Sequence, residues 1–154
     1  SAGKGGKGRH PPLDVGTGSG ILGITALKLG AKEVKGTDLD ENAIVAVGEN
    51  LKANGIEPEQ FQVMQGNILD DPTVQQWAGF GCYDVAVANI LADVIIPLVD
   101  EIPVHLKKGG IFISSGIINL KEQAVLEAFS RNQELEVTEV TRQGEWVSVT
   151  ARRK

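Results

Sequence analysis

Cysteine is almost absent from this sequence, which has Cys82 alone among its 154 residues. One cysteine excludes an internal disulfide and a zinc site built from thiolates, so a metal site would have to use carboxylates. Long apolar runs are also missing, since none approaches the roughly 18 residues of a membrane-spanning helix. The opening SAGKGGKGRHPP has no apolar segment that could serve as a secretory signal. We therefore expect a cytoplasmic protein that binds no metal.

Positive charge is in deficit, because 15 Lys and Arg stand against 20 Asp and Glu and give a formal net charge of −5. An acidic chain argues against direct binding to nucleic acid or to a membrane surface, and it favours a partner that is small or basic. The composition, 42% hydrophobic and 23% charged, is that of a folded globular domain. Of the possible oligomeric states we favour the monomer.

Residues 1–10 differ from the rest of the chain, because they contain four glycines and no aliphatic residue larger than alanine. We expect them to form a flexible tail, and residues 11–154 to form one domain. In that domain β-type and helical patterns alternate. The strands are expected at 13–15, 33–38, 61–65, 83–89, 111–114, 135–142 and 146–152, and the helices at 20–29, 41–53, 72–77, 92–106 and 121–132.

This alternation predicts an α/β fold, a doubly wound and mostly parallel seven-stranded sheet that ends in an antiparallel hairpin. Two prolines, Pro97 and Pro103, should kink or divide the helix expected at 92–106. The basic pair Lys107-Lys108 should favour the C-terminal end of that helix, and the glycines that follow should end the segment.

A glycine-rich loop, Asp14-Val15-Gly16-Thr17-Gly18-Ser19-Gly20, lies between the first strand and the first helix. It contains the start of a G-x-G-x-x-G pattern, so a dinucleotide has to be considered. However, the Asp14 carboxylate would repel a pyrophosphate at the helix N-terminus and suits a cationic ligand such as S-adenosylmethionine. The alternative is that Asp14 only caps the helix or bonds loop amides.

Polar residues also end the next strands. Asp38 stands where a carboxylate can accept hydrogen bonds from ribose hydroxyls, and it should be left available for a ligand because Asp40 is better placed to cap the following helix. Asn67 and Ile68 could flank an adenine, although a turn explains them equally well. Asn89 could accept a hydrogen bond from an incoming amine, or it could belong to a simple turn.

The remaining polar and aromatic candidates are expected to be structural. His10 and His105 lack ligand partners in the sequence, and Cys82 suits packing. Three aromatic residues are scattered along the chain: Trp77, Phe80 and Trp146. We expect them to pack in the core or at its rim rather than to stack on nucleic-acid bases.

Five segments, DVGTGSG, TDLD, ANIL, KKGGIFISSGI and EWVSVTARR, together resemble the PrmA-type methyltransferases that modify the eleventh protein of the large ribosomal subunit. The resemblance covers about residues 13–152 and places the chain among class I S-adenosylmethionine-dependent methyltransferases with a Rossmann-like fold. It implies S-adenosylmethionine as methyl donor, and lysine ε-amino or α-amino groups of that ribosomal protein as acceptors. The cofactor-binding residues it implies are Asp14, Gly16, Thr17, Gly18, Asp38, Leu39, Asn67, Ile68 and Asn89, with Asn89 also catalytic.

Two features depart from the family pattern. A small N-terminal recognition domain, a linker and an FGTGTHPTT segment before the first strand have no counterpart, and GKGRHPP is only faintly similar to that segment. Thr17 stands where cysteine is frequent, an exchange expected to matter little because the loop acts mainly through its backbone. Two alternatives therefore stay open: a cofactor-binding module without acceptor recognition, and a methyltransferase with a different acceptor.

Methyl transfer from a sulfonium to a neutral amine needs proximity, alignment and a deprotonated acceptor, and it needs no strong base. Asn89 and nearby backbone carbonyls could orient the amine while desolvation favours its neutral form. A dinucleotide oxidoreductase is disfavoured by Asp14 and by the lack of a candidate proton donor.

Overall fold

The structure is a computed structural model that describes residues 10–154. The predicted flexible tail lies, apart from His10, outside the described residues. The described chain divides into two compact units, one ending at Ala78 and the other running from Gly79 to Lys154. The boundary of a single domain at residues 11–154 stays a prediction.

The first unit is built on three parallel strands in the order β3-β2-β1. The strands are β1 (Leu13–Val15), β2 (Val34–Asp38) and β3 (Phe61–Gln65), and the helices are α1 (Ile21–Lys28), α2 (Glu41–Ala53) and α3 (Pro72–Ala78), with a 3-10 turn at Pro58–Gln60. The strand and helix bounds agree closely with those expected from the sequence.

Helices cover both faces of this part of the sheet. On one face the buried side chains of α1, α2 and the strands form a cluster consisting of Ile24, Val34, Val47, Leu51 and Phe61. Lys35 follows Val34 in β2 and therefore points to the other face. There its ammonium donates to the Trp77 carbonyl of α3 at 3.1 Å and lies 4.7 Å from the centre of the indole ring. Trp77 is thus a packing residue, as predicted.

The second unit has four strands in the order β4-β5-β7-β6, in which only β4 and β5 run parallel. Its strands are β4 (Tyr83–Asn89), β5 (Leu106–Ile118), β6 (Leu135–Gln143) and β7 (Trp146–Arg153), its helices are α4 (Ala92–Glu101) and α5 (Glu122–Arg131), and 3-10 turns lie at Ile102–Val104 and Asn119–Lys121. The predicted C-terminal hairpin of β6 and β7 is confirmed, with Gly144 at a positive φ of 60° in its turn.

The segment after α4 corrects the sequence-based interpretation. The helix ends at Glu101 rather than at residue 106, Pro97 lies inside it without dividing it, and Pro103 falls in the 3-10 turn. Lys107 and Lys108 belong to β5 and do not end a helix. The physical reason is that Leu106, fully buried, pairs with Tyr83 of β4 and starts the strand earlier than expected.

His105 is buried just before this strand. Its Nδ1 lies 2.6 Å from the carbonyl oxygen of Gly79, its Nε2 lies 2.7 Å from the Glu101 carboxylate, and the ring of Phe80 stacks on it with centroids 5.2 Å apart. These contacts give the histidine and Phe80 a structural role.

Two properties of the described chain bear on function. None of its helices combines the length and apolar character that crossing a membrane requires. Across residues 10–154, no three His, Cys, Asp or Glu side chains gather in an arrangement that could hold a metal ion.

Candidate functional site

The glycine loop after β1 is held to the neighbouring strand by its own backbone. The N–H groups of Gly16 and Thr17 both donate to the Thr37 carbonyl of β2, at 2.8 and 3.2 Å. Gly16, Gly18 and Gly20 have φ values of 78°, 54° and 87°, which lie in the left-handed region that side chains with a Cβ rarely adopt. The loop conformation therefore requires glycine at these positions.

Asp14 lies in β1, two residues before Gly16, and is only 2% exposed. Neither of its carboxylate oxygens has a hydrogen-bond partner in the described part of the chain. Burial and then the negative charge of Asp38 raise the pKa of Asp14 from an ordinary 3.8 to about 7. The alternative that Asp14 bonds loop amides or caps α1 is therefore wrong, and a buried unpaired carboxylate suits a cationic group.

Asp38 ends β2 and holds the loop in place. Its Oδ2 accepts hydrogen bonds from the Gly18 N–H at 2.9 Å and from the Thr17 hydroxyl at 3.5 Å, and its Oδ1 accepts from the Asp40 N–H at 2.9 Å. Asp40 caps α2 by accepting from Asn42 N–H, as predicted. Asp38 therefore has protein partners that the sequence did not predict, but a carboxylate offers about four acceptor positions, and its availability for a ligand stays a prediction.

Thr17 contributes more than its backbone. Its side chain is buried, and a Cβ added to Gly36 of β2 would lie 2.3 Å from the Thr17 methyl carbon. The threonine thus fills space that Gly36 leaves, a contact the sequence-based expectation overlooked. A glycine inside a strand often marks a place where another group approaches the backbone closely. Gly36 was therefore the sequence feature from which this contact could have been predicted.

The segments proposed to contact adenine are occupied by local structure. Asn67 Oδ1 accepts from the Leu69 N–H at 3.0 Å, which is an Asx turn, and the Ile68 side chain is buried. Leu39 is 61% exposed beside Asp38. These contacts explain the turn by itself, and an adenine contact from Asn67, Ile68 or Leu39 stays a prediction.

In the second unit, Asn89 is the exposed last residue of β4 and pairs with Ser115 of β5. A Cβ added to the next residue of β5, Gly116, would lie 2.3 Å from Asn89 Oδ1. Sequence reasoning singled out Asn89 but missed Gly116, whose signal was the glycine within the SSGI segment.

The fold and the loop together define a class of protein. Parallel strands with helices on both faces, a glycine loop after the first strand and a carboxylate ending the second are features of Rossmann-like proteins that bind nucleosides and nucleotides. A solved structure described as ribosomal protein L11 methylase, from Lactobacillus delbrueckii subsp. bulgaricus, superposes with a TM-score of 0.81 at 35% identity, covering 94% of this chain and 71% of that one. The predicted doubly wound, mostly parallel seven-stranded fold is thereby confirmed.

The chain belongs to the ribosomal protein L11 methyltransferase (PrmA) family, whose model matches residues 5–154. A protein named ribosomal protein L11 methyltransferase from Lachnospira eligens is 56% identical over 142 residues, which cover 92% of this chain and 45% of that protein. The chain thus spans less than half the length of that relative.

More distant structures share the fold alone. A structure of geranyl diphosphate C-methyltransferase from Streptomyces coelicolor A3(2), in complex with Mg2+, geranyl diphosphate and S-adenosyl-L-homocysteine, has a TM-score of 0.75 at 15% identity, covering 96% of this chain and 72% of that one. A shared fold does not determine the acceptor.

Proposed function

We propose that this chain is an S-adenosylmethionine-dependent protein methyltransferase domain that acts on lysine ε-amino or α-amino groups of ribosomal protein L11. The observation that carries the proposal is the buried, unpaired Asp14 carboxylate at the start of the glycine loop, in a chain of the PrmA family. A carboxylate in that place suits a cationic nucleoside and opposes the pyrophosphate of a dinucleotide.

The first unit supplies most of the residues proposed to hold the cofactor. Asp14 would attract the cationic methionine moiety, and Gly16, Thr17 and Gly18 would face it with their backbone. The unused acceptor positions of Asp38 would bind the ribose hydroxyls, with adenine near Leu39, Asn67 and Ile68. When bound, S-adenosylmethionine supplies a methyl group already activated on a sulfonium.

Asn89 is proposed as the catalytic residue. Its carboxamide oxygen would accept a hydrogen bond from the acceptor amine and so direct the nitrogen lone pair, while backbone carbonyls and desolvation would favour the neutral amine. An activated donor makes alignment the main requirement, so no strong general base is needed.

The proposed acceptor is consistent with charge. The chain carries a formal net charge of −5, so it would attract a basic ribosomal protein. The range of this attraction depends on the ionic strength, because salt screens the charges. Such an acceptor also implies a cytoplasmic location. Direct contacts with nucleic acid or membrane are not part of the proposal, and a monomer is the favoured state.

Isothermal titration with S-adenosylmethionine, S-adenosylhomocysteine and NAD tests the cofactor assignment. We expect heat of binding from the first two ligands and none from NAD. Binding of NAD in place of S-adenosylmethionine would contradict the proposal and would support the alternative that the chain is a dinucleotide oxidoreductase.

Transfer of labelled methyl groups to purified ribosomal protein L11 tests the activity. We expect incorporation into L11, and Asn89→Ala should lower the rate by about 10²-fold, much more than it weakens cofactor binding, as for the loss of one preorganised polar group. A chain that binds the cofactor but labels no protein would be a binding module. Labelling of other proteins but not L11 would indicate a different acceptor.

A further inference from the structure

Asn89 and Gly116 are in contact at the carboxyl end of β4. A Cβ placed on Gly116 would lie 2.3 Å from Asn89 Oδ1 and 3.5 Å from both Asn89 Cγ and the Ile90 carbonyl oxygen. Real Cβ atoms do not approach oxygen as closely as 2.3 Å, so the carboxamide occupies space that exists only because residue 116 has no side chain.

The backbone at Gly116 is shaped for this contact. Its φ is 78°, and the pairing of β5 with β7 shifts register between Ser114 and Ile117. Such an irregularity in a strand changes the direction in which the side chains beside it point. On the other side of β5, Ser115 pairs with Asn89 of β4, so the irregular segment lies next to the asparagine.

An exposed asparagine ordinarily samples several rotamers, and ordering it costs conformational entropy. Contact with the Gly116 backbone restricts where the Asn89 carboxamide can lie. We infer that Gly116 is a positioning residue, which holds the carboxamide of Asn89 in the orientation required to receive the acceptor amine.

The inference has two parts. The positional part, that Gly116 fixes the orientation of the Asn89 carboxamide, is independent of the proposed function. The catalytic part, that this orientation is required to receive the acceptor amine, rests on the proposed function. A methyl group at residue 116 would push the carboxamide away, and residue 116 is not part of the glycine loop at residues 14–20. Misplacing one aligned group by about 1 Å can lower a rate by about 10²-fold. The expected effect is therefore much larger on the rate of transfer than on cofactor affinity.

β5 offers a matched control for backbone strain. Gly109 has a φ of 82°, close to that of Gly116, and no described atom lies within 4 Å of a Cβ built on it. Gly109→Ala and Gly116→Ala thus impose similar strain on the same strand, and only the second displaces Asn89.

The first measurement is the side-chain NH2 resonance of Asn89 in ¹⁵N NMR spectra, assigned by its disappearance in Asn89→Ala. Gly116→Ala should shift this resonance, and Gly109→Ala should leave it in place. An unmoved resonance in folded Gly116→Ala would overturn the inference whatever the activity of the protein.

The second measurement is a double-mutant cycle on methyl transfer to L11. Gly116→Ala should lower kcat by roughly 10- to 100-fold, a much larger factor than any change in the Kd for S-adenosylmethionine. In the Asn89→Ala background the same change should have almost no further effect on kcat, because the group it displaces is gone. Independent, multiplying losses would show that Gly116 does not act through Asn89.

Two outcomes separate this inference from the proposed function. A parent that binds S-adenosylmethionine but transfers no methyl group would overturn the proposed function and the catalytic part, and the NMR comparison would still decide the positional part. If Gly116→Ala alone fails to fold, the Asn89→Ala/Gly116→Ala variant should fold, because the clash is removed. Failure of both to fold would overturn the inference.

Discussion

The carboxylate of Asp38 accepts a hydrogen bond from the backbone N–H of Gly18 at 2.9 Å, across 20 residues of sequence. A residue proposed to bind the ribose therefore also shapes the loop proposed to face the methionine moiety. Under that proposal, ligand binding and loop geometry are coupled through one side chain, and substitutions of Asp38 should affect both.

We expect Asp38→Ala to weaken S-adenosylmethionine binding by about 1.5 to 3 kcal/mol, the range for losing hydrogen bonds to a charged group. Asp38→Asn should retain the acceptor for Gly18 or Asp40 and lose less affinity. Titration calorimetry measures both, with circular dichroism as the check on folding. A loss below about 0.5 kcal/mol in folded Asp38→Ala would remove the ribose assignment.

Gly16→Val should abolish cofactor binding, because a β-branched residue is strained at a φ of 78° and fills space that the ligand needs. Gly30→Val is the matched control. Gly30 also has a positive φ, 116°, and no described atom lies within 4 Å of its added Cβ. The control should lose stability but keep its affinity. Unchanged affinity in Gly16→Val would place the ligand elsewhere.

Asp14 should make the unfolding free energy depend on pH. Its pKa is about 7 in the folded chain, whereas the ordinary value of 3.8 applies to the unfolded chain. Between pH 3.8 and pH 7 the folded state therefore binds more protons than the unfolded state. The stability that this group contributes is then fully present below about pH 4 and is lost as the pH rises to 7, by on the order of 4 kcal/mol.

Asp14→Asn should remove this contribution, since an asparagine side chain does not titrate. The measurement is urea unfolding from about pH 4 to 8 for the parent and the variant, and the quantity of interest is the difference between their unfolding free energies. As the pH rises to 7, the parent should lose stability relative to the variant, and above pH 7 the difference should become constant. A difference that stays constant over the whole range would mean that the pKa of Asp14 is not raised in the folded chain.

Gly23→Ala should destabilise the first unit, because its Cβ would lie 2.3 Å from the Phe61 ring. Overpacking of this kind typically costs about 1 to 3 kcal/mol. Gly48→Ala in α2 is the control: no described atom lies within 4 Å of that Cβ, and alanine should gain about 0.5 to 1 kcal/mol there. Thermal or urea unfolding measures both. Equal stabilities for the two variants would show that the Phe61 ring can move away from the added methyl group without lowering the free energy of unfolding.

Local chemistry determined much of this protein. The start of α2 follows from Asp40, whose side chain caps the helix by accepting from the N–H of Asn42. The strands of the first unit follow from short apolar runs between turns, and the glycine loop from residues that tolerate a positive φ. Signals of this kind act over a few residues, so they can be read without knowing what packs against them.

The tertiary structure decided the rest, because it depends on partners distant in sequence. Residues 106–110 look like the end of a helix until Leu106 pairs with Tyr83, and the hydrogen bond from Gly18 to Asp38 joins residues that are 20 positions apart in the sequence. The isolation of the Asp14 carboxylate and the contact between Gly116 and Asn89 likewise arise only when strands lie side by side. Burial, register and close approach are properties of a packed chain, and a linear sequence does not display them.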